Sequence, residues 1–384
     1  METTEESFPV SRPSLSDIEE RYLLEAFRSG WISSIGPYLR QFEERFAIRC
    51  GVDSAVATTS GTTALHLALA AAGIGVGDEV IVPDLTYVAT PNAVAYCGAR
   101  AVCVDVLPTT WCLDPVAVEA AIGPRTRAII AVDAYGHPAD YDSLRAIARR
   151  HGLFLLADAA ESFGATVRGR PTGSLADATV FSFFGNKIIT SGEGGCVTTA
   201  DPALADRMRL LRGQGMDPQR RYWFPILGYN YRMTNLCAAL LCAQLDRADD
   251  IIAERDRVVA GYEEHLAGTA MITAQPTGAD VRRGPWMASF LIGAEGSTDL
   301  RDRLAIRLSK VGVDTRPFFV PIHELPAHRQ NGDFAVTIDL SRRGINFPTY
   351  VDLDEAAVKT VALRIRQCLD AEVGLPGEPS GSYL

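Results

Sequence analysis

Between residues 54 and 184 short, nearly continuous apolar runs alternate with stretches of helical periodicity. The apolar runs cover 54–60, 78–83, 99–106, 127–134, 152–158 and 178–184. Helical patterns fall between them at 64–72, 91–96, 114–122 and 141–151. A strand that is apolar on both sides has to be covered on both faces. Strands joined through helices pair in parallel. The chain is therefore expected to be α/β, with a mostly parallel sheet clad by helices. Ligands of such sheets bind beyond the carboxyl ends of the strands. Gly61, Tyr87, Asp158 and Lys187 all sit at or just past such ends.

Lys187 stands in Phe181-Ser-Phe-Phe-Gly-Asn-Lys-Ile-Ile-Thr-Ser-Gly-Glu-Gly-Gly195. The chain has only three lysines; the others, Lys310 and Lys359, lie in charged, amphipathic helical patterns. An amine nucleophile thus has one good candidate. A lysine in a partly apolar pocket works as a neutral amine more readily than an exposed one. From local context a loop lysine covering a sheet end is equally compatible.

The run 54–60 is followed by Gly61-Thr62-Thr63 and a helix. Free N–H groups and the dipole at such a helix start suit an anion, with glycine allowing close approach. The plainer reading is an ordinary capped helix. His66, on that helix, reads as packed. Asp158 ends an apolar strand, where a carboxylate needs a donor or a positive partner. It either caps the next turn or meets a protonated ring nitrogen. Residues 207–232 form a basic island on an acidic chain, with six arginines against Asp217 alone. The island contains Arg221-Tyr-Trp-Phe-Pro225 and Gly228-Tyr-Asn-Tyr-Arg232. Arginine with aromatics suits a phosphate and a stacked ring, or a subunit interface.

A net charge of −10 argues against nucleic-acid and anionic-membrane partners, and no apolar run is long enough to cross a bilayer. The acidic N-terminus lacks the features of a signal peptide, and the eight scattered cysteines form no CxxC pair. Both point to a reducing cytoplasm, and no metal site is expected. Length and pattern predict an arm at 1–13, a large domain at 14–248 and a smaller α/β domain at 249–384. One long helix from Thr234 towards Leu266 is expected to bridge the two domains. The end, 374–384, reads as a loose tail.

Taken in order, these motifs resemble the DegT/DnrJ/EryC1/StrS sugar aminotransferases, pyridoxal-phosphate enzymes of the type I, aspartate-aminotransferase-like fold. The resemblance rests on Trp31-Ile-Ser-Ser34, Ser60-Gly-Thr-Thr-Ala-Leu65, Gly77-Asp-Glu-Val-Ile-Val-Pro83, Asp158-Ala-Ala-Glu161, Phe181-Ser-Phe183, Gly192-Glu-Gly-Gly195 and Asn346-Phe-Pro348. Within the family, Phe183-Phe-Gly-Asn-Lys187, Gly213-Gln-Gly-Met-Asp217 and Gly228-Tyr-Asn-Tyr-Arg-Met-Thr-Asn235 look most like perosamine-synthase-like members.

The resemblance implies roles. Lys187 bonds the cofactor and Asp158 pairs with its ring nitrogen. Tyr87 stacks on the ring, and Thr62, Thr63 and Ser182 hold the phosphate beside Gly61. Glu161 takes a place near the ring hydroxyl often held by His or Gln. Asn230 reaches the phosphate of the neighbouring subunit, which makes a homodimer with shared sites. Arg232, His323 and Trp31 are candidates for substrate contacts. The implied reaction moves an amino group from L-glutamate, through pyridoxamine phosphate, to C4 of GDP-4-keto-6-deoxymannose. Alternatives on the same fold are a 3-keto nucleotide sugar or a keto-cyclitol as acceptor. A non-catalytic binding protein is a further alternative, against which the pairing of Lys187 with Asp158 and Ser182 argues.

Overall fold

The computed structural model describes residues 7–373. The expected tail at 374–384 and the first six residues of the expected arm lie outside the described residues. From Phe8 onward the N-terminal stretch is docked: Phe8 pairs with Val313 in a parallel bridge, and both Phe8 and Val10 are buried. α1 (Asp17–Arg28) starts on a capping box in which the Ser16 N–H donates to the Glu19 carboxylate at 2.7 Å. α2 (Pro37–Cys50) has proline in its first turn and ends on Gly51, whose φ of 67° a glycine adopts without strain.

The alternation then unfolds as read. It runs β1 (Ser54–Thr58), α3 (Gly61–Ala71), β2 (Glu79–Pro83), α4 (Ala89–Tyr96), β3 (Arg100–Val104), α5 (Pro115–Ala121), β4 (Thr126–Val132), α6 (Tyr141–His151) and β5 (Phe154–Asp158). A small hairpin, β6 (Thr166–Val167) and β7 (Arg170–Pro171), precedes β8 (Ala178–Ser182) and β9 (Gly195–Thr199). Three helices follow: α7 (Pro202–Arg212), α8 (Asn235–Asp246) and α9 (Ala248–Leu266).

Seven of these strands form one sheet in the order β1-β9-β8-β5-β4-β2-β3. β8, β5, β4, β2 and β3 are parallel, and β9 runs antiparallel between β8 and β1. Alternate residues face opposite cores. Ala55, Ala57, Ile81, Ile129, Leu155 and Phe181 pack with Phe42 and Phe46 of α2, Leu144 of α6 and Leu241 of α8. Val56, Val80, Ile130, Leu156 and Val180 pack with Leu67 of α3, Val94 of α4 and Met208 of α7. Both faces are dry, which is why the strands read as unbroken apolar runs.

The remaining chain builds a four-stranded antiparallel sheet in the order β10-β12-β14-β13. Its elements are β10 (Ile272–Ala274), β11 (Val281–Arg282), β12 (Ala288–Ile292), α10 (Leu300–Lys310), β13 (Arg316–Pro317), α11 (Ala335–Arg343), β14 (Gly344–Phe347) and α12 (Glu355–Val373). β11 stands outside that sheet and pairs with β6. Tyr262, Leu304, Leu308 and Ile365 cover one face, against Phe290 and Phe347.

One local expectation is corrected, and two further segments gain a definite structure. The glycine-rich loop after Lys187 ends in a strand, β9, whose first residue Gly195 opposes both Thr58 and Ser182. The single long helix is two, α8 and α9, broken at Arg247, which turns to hydrogen-bond Glu19 and Ser14. The segment leading into Pro348 is β14, which is buried along its whole length. Lys310 and Lys359 are exposed, as their charged patterns predict. All eight cysteines are free; five are buried and three half-buried. Among the described residues no helix is long and apolar enough to cross a membrane.

Candidate active site

At the carboxyl edge of the seven-stranded sheet lies a cavity of about 500 Å³. Its floor begins with α3. Ser60 caps that helix: its Oγ accepts from the Thr63 N–H at 3.2 Å, and Thr63 Oγ1 accepts from the Ser60 N–H at 3.0 Å. The cap uses the Thr63 side chain, and Thr63 does not line the cavity, whereas Ser60, Gly61, Thr62 and Ser182 do. The backbones are in close approach here. A Cβ on Gly61 would stand 2.8 Å from Ser182 Cβ, and one on Gly195 only 2.2 Å from the Ser60 carbonyl oxygen. Two glycines thus let β8, β9 and the first turn of α3 converge, leaving helix-start amides aimed at the cavity.

Lys187 is half-buried, with its Nζ 4.0 Å from the centroid of the Trp286 ring. The indole is itself held, donating from Nε1 to the Asn186 carbonyl at 3.1 Å. Burial lowers the pKa of Lys187, while the charges of Glu161 and Asp158 pull it back up. Asp158 accepts from Thr90 Oγ1 at 2.8 Å and from the Ala160 N–H at 3.2 Å. Burial raises its pKa against those two donors and Lys187. Glu161 accepts from the Tyr135 N–H at 2.8 Å. Burial pushes its carboxyl up to about 7, opposed by Lys187 and that N–H and reinforced by Asp158 and Asp133. Burial thus disfavours the charged form of all three groups, and their mutual attraction opposes it.

Tyr135 is buried with a φ of 53° and stacks on Phe318 at 3.9 Å. Left-handed backbone at a bulky residue is strained, and it turns the Tyr135 N–H towards Glu161. Tyr87 lies at the cavity wall, 59% exposed, with its ring 5.8 Å from that of Phe319.

The fold thus brings together Gly61, Thr62, Tyr87, Asp158, Glu161, Ser182 and Lys187 from four separate stretches of sequence. Other residues singled out from the sequence lie elsewhere in the chain. Asn230 is exposed and pairs with Gly213. Arg232 is half-buried, with a buried Nε that has no hydrogen-bond partner among the described residues. Trp31 is 52% exposed, and its carbonyl accepts from the Asn235 side chain at 2.7 Å. His323 turns to Asp84, with Nδ1 at 2.6 Å from the carboxylate and its ring stacked on Phe334. His66 is packed against Tyr229 and within 3.0 Å of the Tyr231 hydroxyl. The basic island is divided: Arg212 is buried on Glu43, and Arg220 lies over Trp223.

Sequence reasoning missed Thr90, Glu193, Trp286, Arg316 and Asn346, the last four of which line the cavity. The available signal for Arg316 was a lone arginine before a proline in an apolar run. Thr90 carried none.

A model of the DegT/DnrJ/EryC1/StrS aminotransferase family matches residues 13–366, nearly the whole chain. The chain is a DegT/DnrJ/EryC1/StrS aminotransferase. This aminotransferase is 50% identical over 363 residues to GDP-perosamine synthase of Caulobacter vibrioides, covering 94% of this chain and 98% of that protein. It is 42% identical over 352 residues to GDP-perosamine synthase of Escherichia coli O157:H7, covering 91% and 95%. Among solved structures it superposes on S. venezuelae DesV with a TM-score of 0.87 and 35% identity, covering 94% and 99%.

The cofactor of the aminotransferase is pyridoxal phosphate. The residues present fit it. The glycine-lined start of α3 with Ser182 offers donors to a phosphate. Asp158, buried and incompletely compensated by its two donors, asks for a positive partner, which a protonated ring nitrogen supplies. Lys187 stands in the same cavity.

Proposed function

We propose that this aminotransferase moves the amino group of L-glutamate to C4 of GDP-4-keto-6-deoxymannose. The observation that carries the substrate is the full-length likeness to GDP-perosamine synthases, at 50% and 42% identity for the two relatives described. Pyridoxal phosphate supplies the electron sink and carries the amino group between donor and acceptor.

The residues divide the work. Lys187, with its ammonium destabilised by burial, takes the proton from the donor's α-carbon. Later it returns a proton to the sugar carbon. Asp158, anchored by Thr90 and Ala160, would pair with a protonated ring nitrogen. Glu161, fixed by the strained Tyr135 amide, tunes the charge of Lys187. Gly61, Thr62 and Ser182 hold the phosphate end, and Tyr87 covers the ring. Thr63 acts through the Ser60 cap.

The protein works in this reading as a cytoplasmic homodimer. Tyr222, Trp223, Phe224, Ile226 and Leu227 expose a contiguous apolar stretch of the kind that subunits cover, and Asn230 follows it on the same segment. Asn230 is then a donor to the neighbouring subunit's phosphate, and Arg232, His323 and Trp31 act at or around the sugar's approach. Residues 14–248 and 249–384 serve as the cofactor-binding and covering domains.

The test is a half-reaction. Protein loaded with pyridoxamine phosphate is mixed with GDP-4-keto-6-deoxymannose in the absence of glutamate, and the product is read by NMR and mass spectrometry. A 4-amino sugar is expected. No product, with glutamate still converting the cofactor, would move the acceptor to another keto sugar.

A further inference from the structure

Lys187 is gripped at two points by one side chain. The Trp286 ring faces its Nζ at 4.0 Å, and the ring Nε1–H donates to the carbonyl of Asn186, the preceding residue, at 3.1 Å. Trp286 is buried and is itself held from behind. Arg255 of α9 donates from Nε to the Pro285 carbonyl at 2.9 Å and from Nη2 to the Trp286 carbonyl at 2.5 Å. Arg255 is 2% exposed, and burial lowers its pKa only to about 10, so it stays charged. A guanidinium buried against two carbonyls costs free energy; what it secures is the backbone that carries the indole. On the other side the Trp286 ring lies nearly parallel to that of Tyr135, with centroids 6.3 Å apart. The Trp286 N–H donates to the Gly284 carbonyl at 2.8 Å, and a Cβ on Gly284 would stand 2.7 Å from Ser162 Cα. The indole is therefore fixed relative to the Glu161 turn as well as to Lys187.

A proton carrier needs its ammonium form kept in place until the proton is passed on. Asp158 at the end of β5 and Glu161 in the turn after it attract that charge. Glu193 before β9 and Arg316 on β13 line the same cavity, and Asp133, just past β4, acts on Glu161. A carboxyl can take the proton away from the amine; an indole face cannot. It stabilises the cation without competing for its proton. We propose that Trp286 is a positioning residue for Lys187 in both half-reactions: the ring face holds the ammonium, and the ring N–H anchors the backbone beside it. This rests on the reading of Lys187 as the group that carries protons in the amino transfer.

The chain has three lysines, so protein labelled with ε-13C-lysine gives three signals, and the exposed Lys310 and Lys359 serve as references. Pyridoxamine phosphate has no aldehyde to bond a lysine. Full-length protein loaded with it leaves Lys187 a free amine, whose titration NMR reads directly. In W286L the ratio of ammonium to amine at a fixed pH should fall about tenfold. In W286F, which keeps a ring face and loses the N–H, the ratio should stay within about threefold of wild type. Stopped-flow kinetics supply a second readout. The kcat values of the glutamate and keto-sugar half-reactions should fall together, about 100-fold in W286L and about tenfold in W286F, with each KM within about threefold of wild type. An unchanged or higher ammonium ratio in W286L, or a loss that falls on KM alone, would overturn the assignment. Should W286L fail to fold, a wild-type kcat in W286F would overturn it equally. If wild type leaves GDP-4-keto-6-deoxymannose unaminated, the fault lies with the acceptor named above; the titration and the glutamate half-reaction still decide the role of Trp286.

Discussion

Lys187 has to be a base while sitting between carboxyls that favour its ammonium form. Burial wins: the amine's pKa lies below that of a free lysine despite Glu161 and Asp158. Lys187→Ala should lower turnover by at least ~10³-fold. The fold and non-covalent binding of pyridoxal phosphate should survive; normal turnover in that variant would remove Lys187 from the mechanism. Glu161 gives a second prediction. Its folded-state pKa, about 7, lies above its ordinary value of 4.5, so the folded protein keeps a proton that the unfolded chain releases across that window. Stability of the cofactor-free protein therefore falls as pH rises from about 4.5 to 7, and levels off above. Glu161→Gln should remove roughly 1–3 kcal/mol of that slope in urea titrations at pH 5 and pH 7.5. Asp133, buried and likewise pushed up to about 7, keeps its own share. An unchanged slope would mean that Glu161 is ionised throughout.

The elements meet at backbones rather than side chains. The first turn of α3, the end of β8 and the start of β9 approach so closely that Gly195 has no room for a methyl group against the Ser60 carbonyl. Gly195→Ala should cost roughly 1–3 kcal/mol of stability by overpacking. It should also weaken pyridoxal phosphate binding by at least about tenfold, because the α3 amides shift; equilibrium titration of the cofactor measures this. Gly51, whose neighbourhood is open, provides the contrast. There the strain lies in the positive φ alone, so a substitution should lower stability and leave cofactor affinity untouched.

At the level of the whole molecule, the exposed apolar stretch 222–227 and the absence of Asn230 from the cavity lining support the proposal of a site completed by a second copy. Lys187→Ala and Asn230→Ala each inactivate a site from opposite subunits in that reading. Unfolded together in equal amounts and refolded, the two variants should recover about a quarter of wild-type activity, because half the dimers are mixed and each carries one intact site. No recovery, with dimers confirmed by sedimentation, would mean that Asn230 and Lys187 of one and the same subunit serve a site together. The apolar stretch and the Asn230 segment would then need another account.

The amino-acid pattern alone specifies the parallel part of the sheet. Apolar runs such as 127–134 are legible because both faces of β4 are dry, and period-2 burial leaves no polar interruption. It also supplied Lys187 and Asp158, whose residue types are costly at strand ends unless they are used. The strand β9 was not legible, because Gly195 opens it for close approach and glycine reads as loop. The break at Arg247 depends on Glu19, more than two hundred residues away in sequence. Only the tertiary structure could bring Arg316 and Trp286 across to Lys187 and hand Asp158 its donor from Thr90. Those contacts join segments whose local patterns carry no trace of one another; packing of the second sheet against the first decides those of Arg316 and Trp286, and packing of α4 on the first sheet decides that of Thr90.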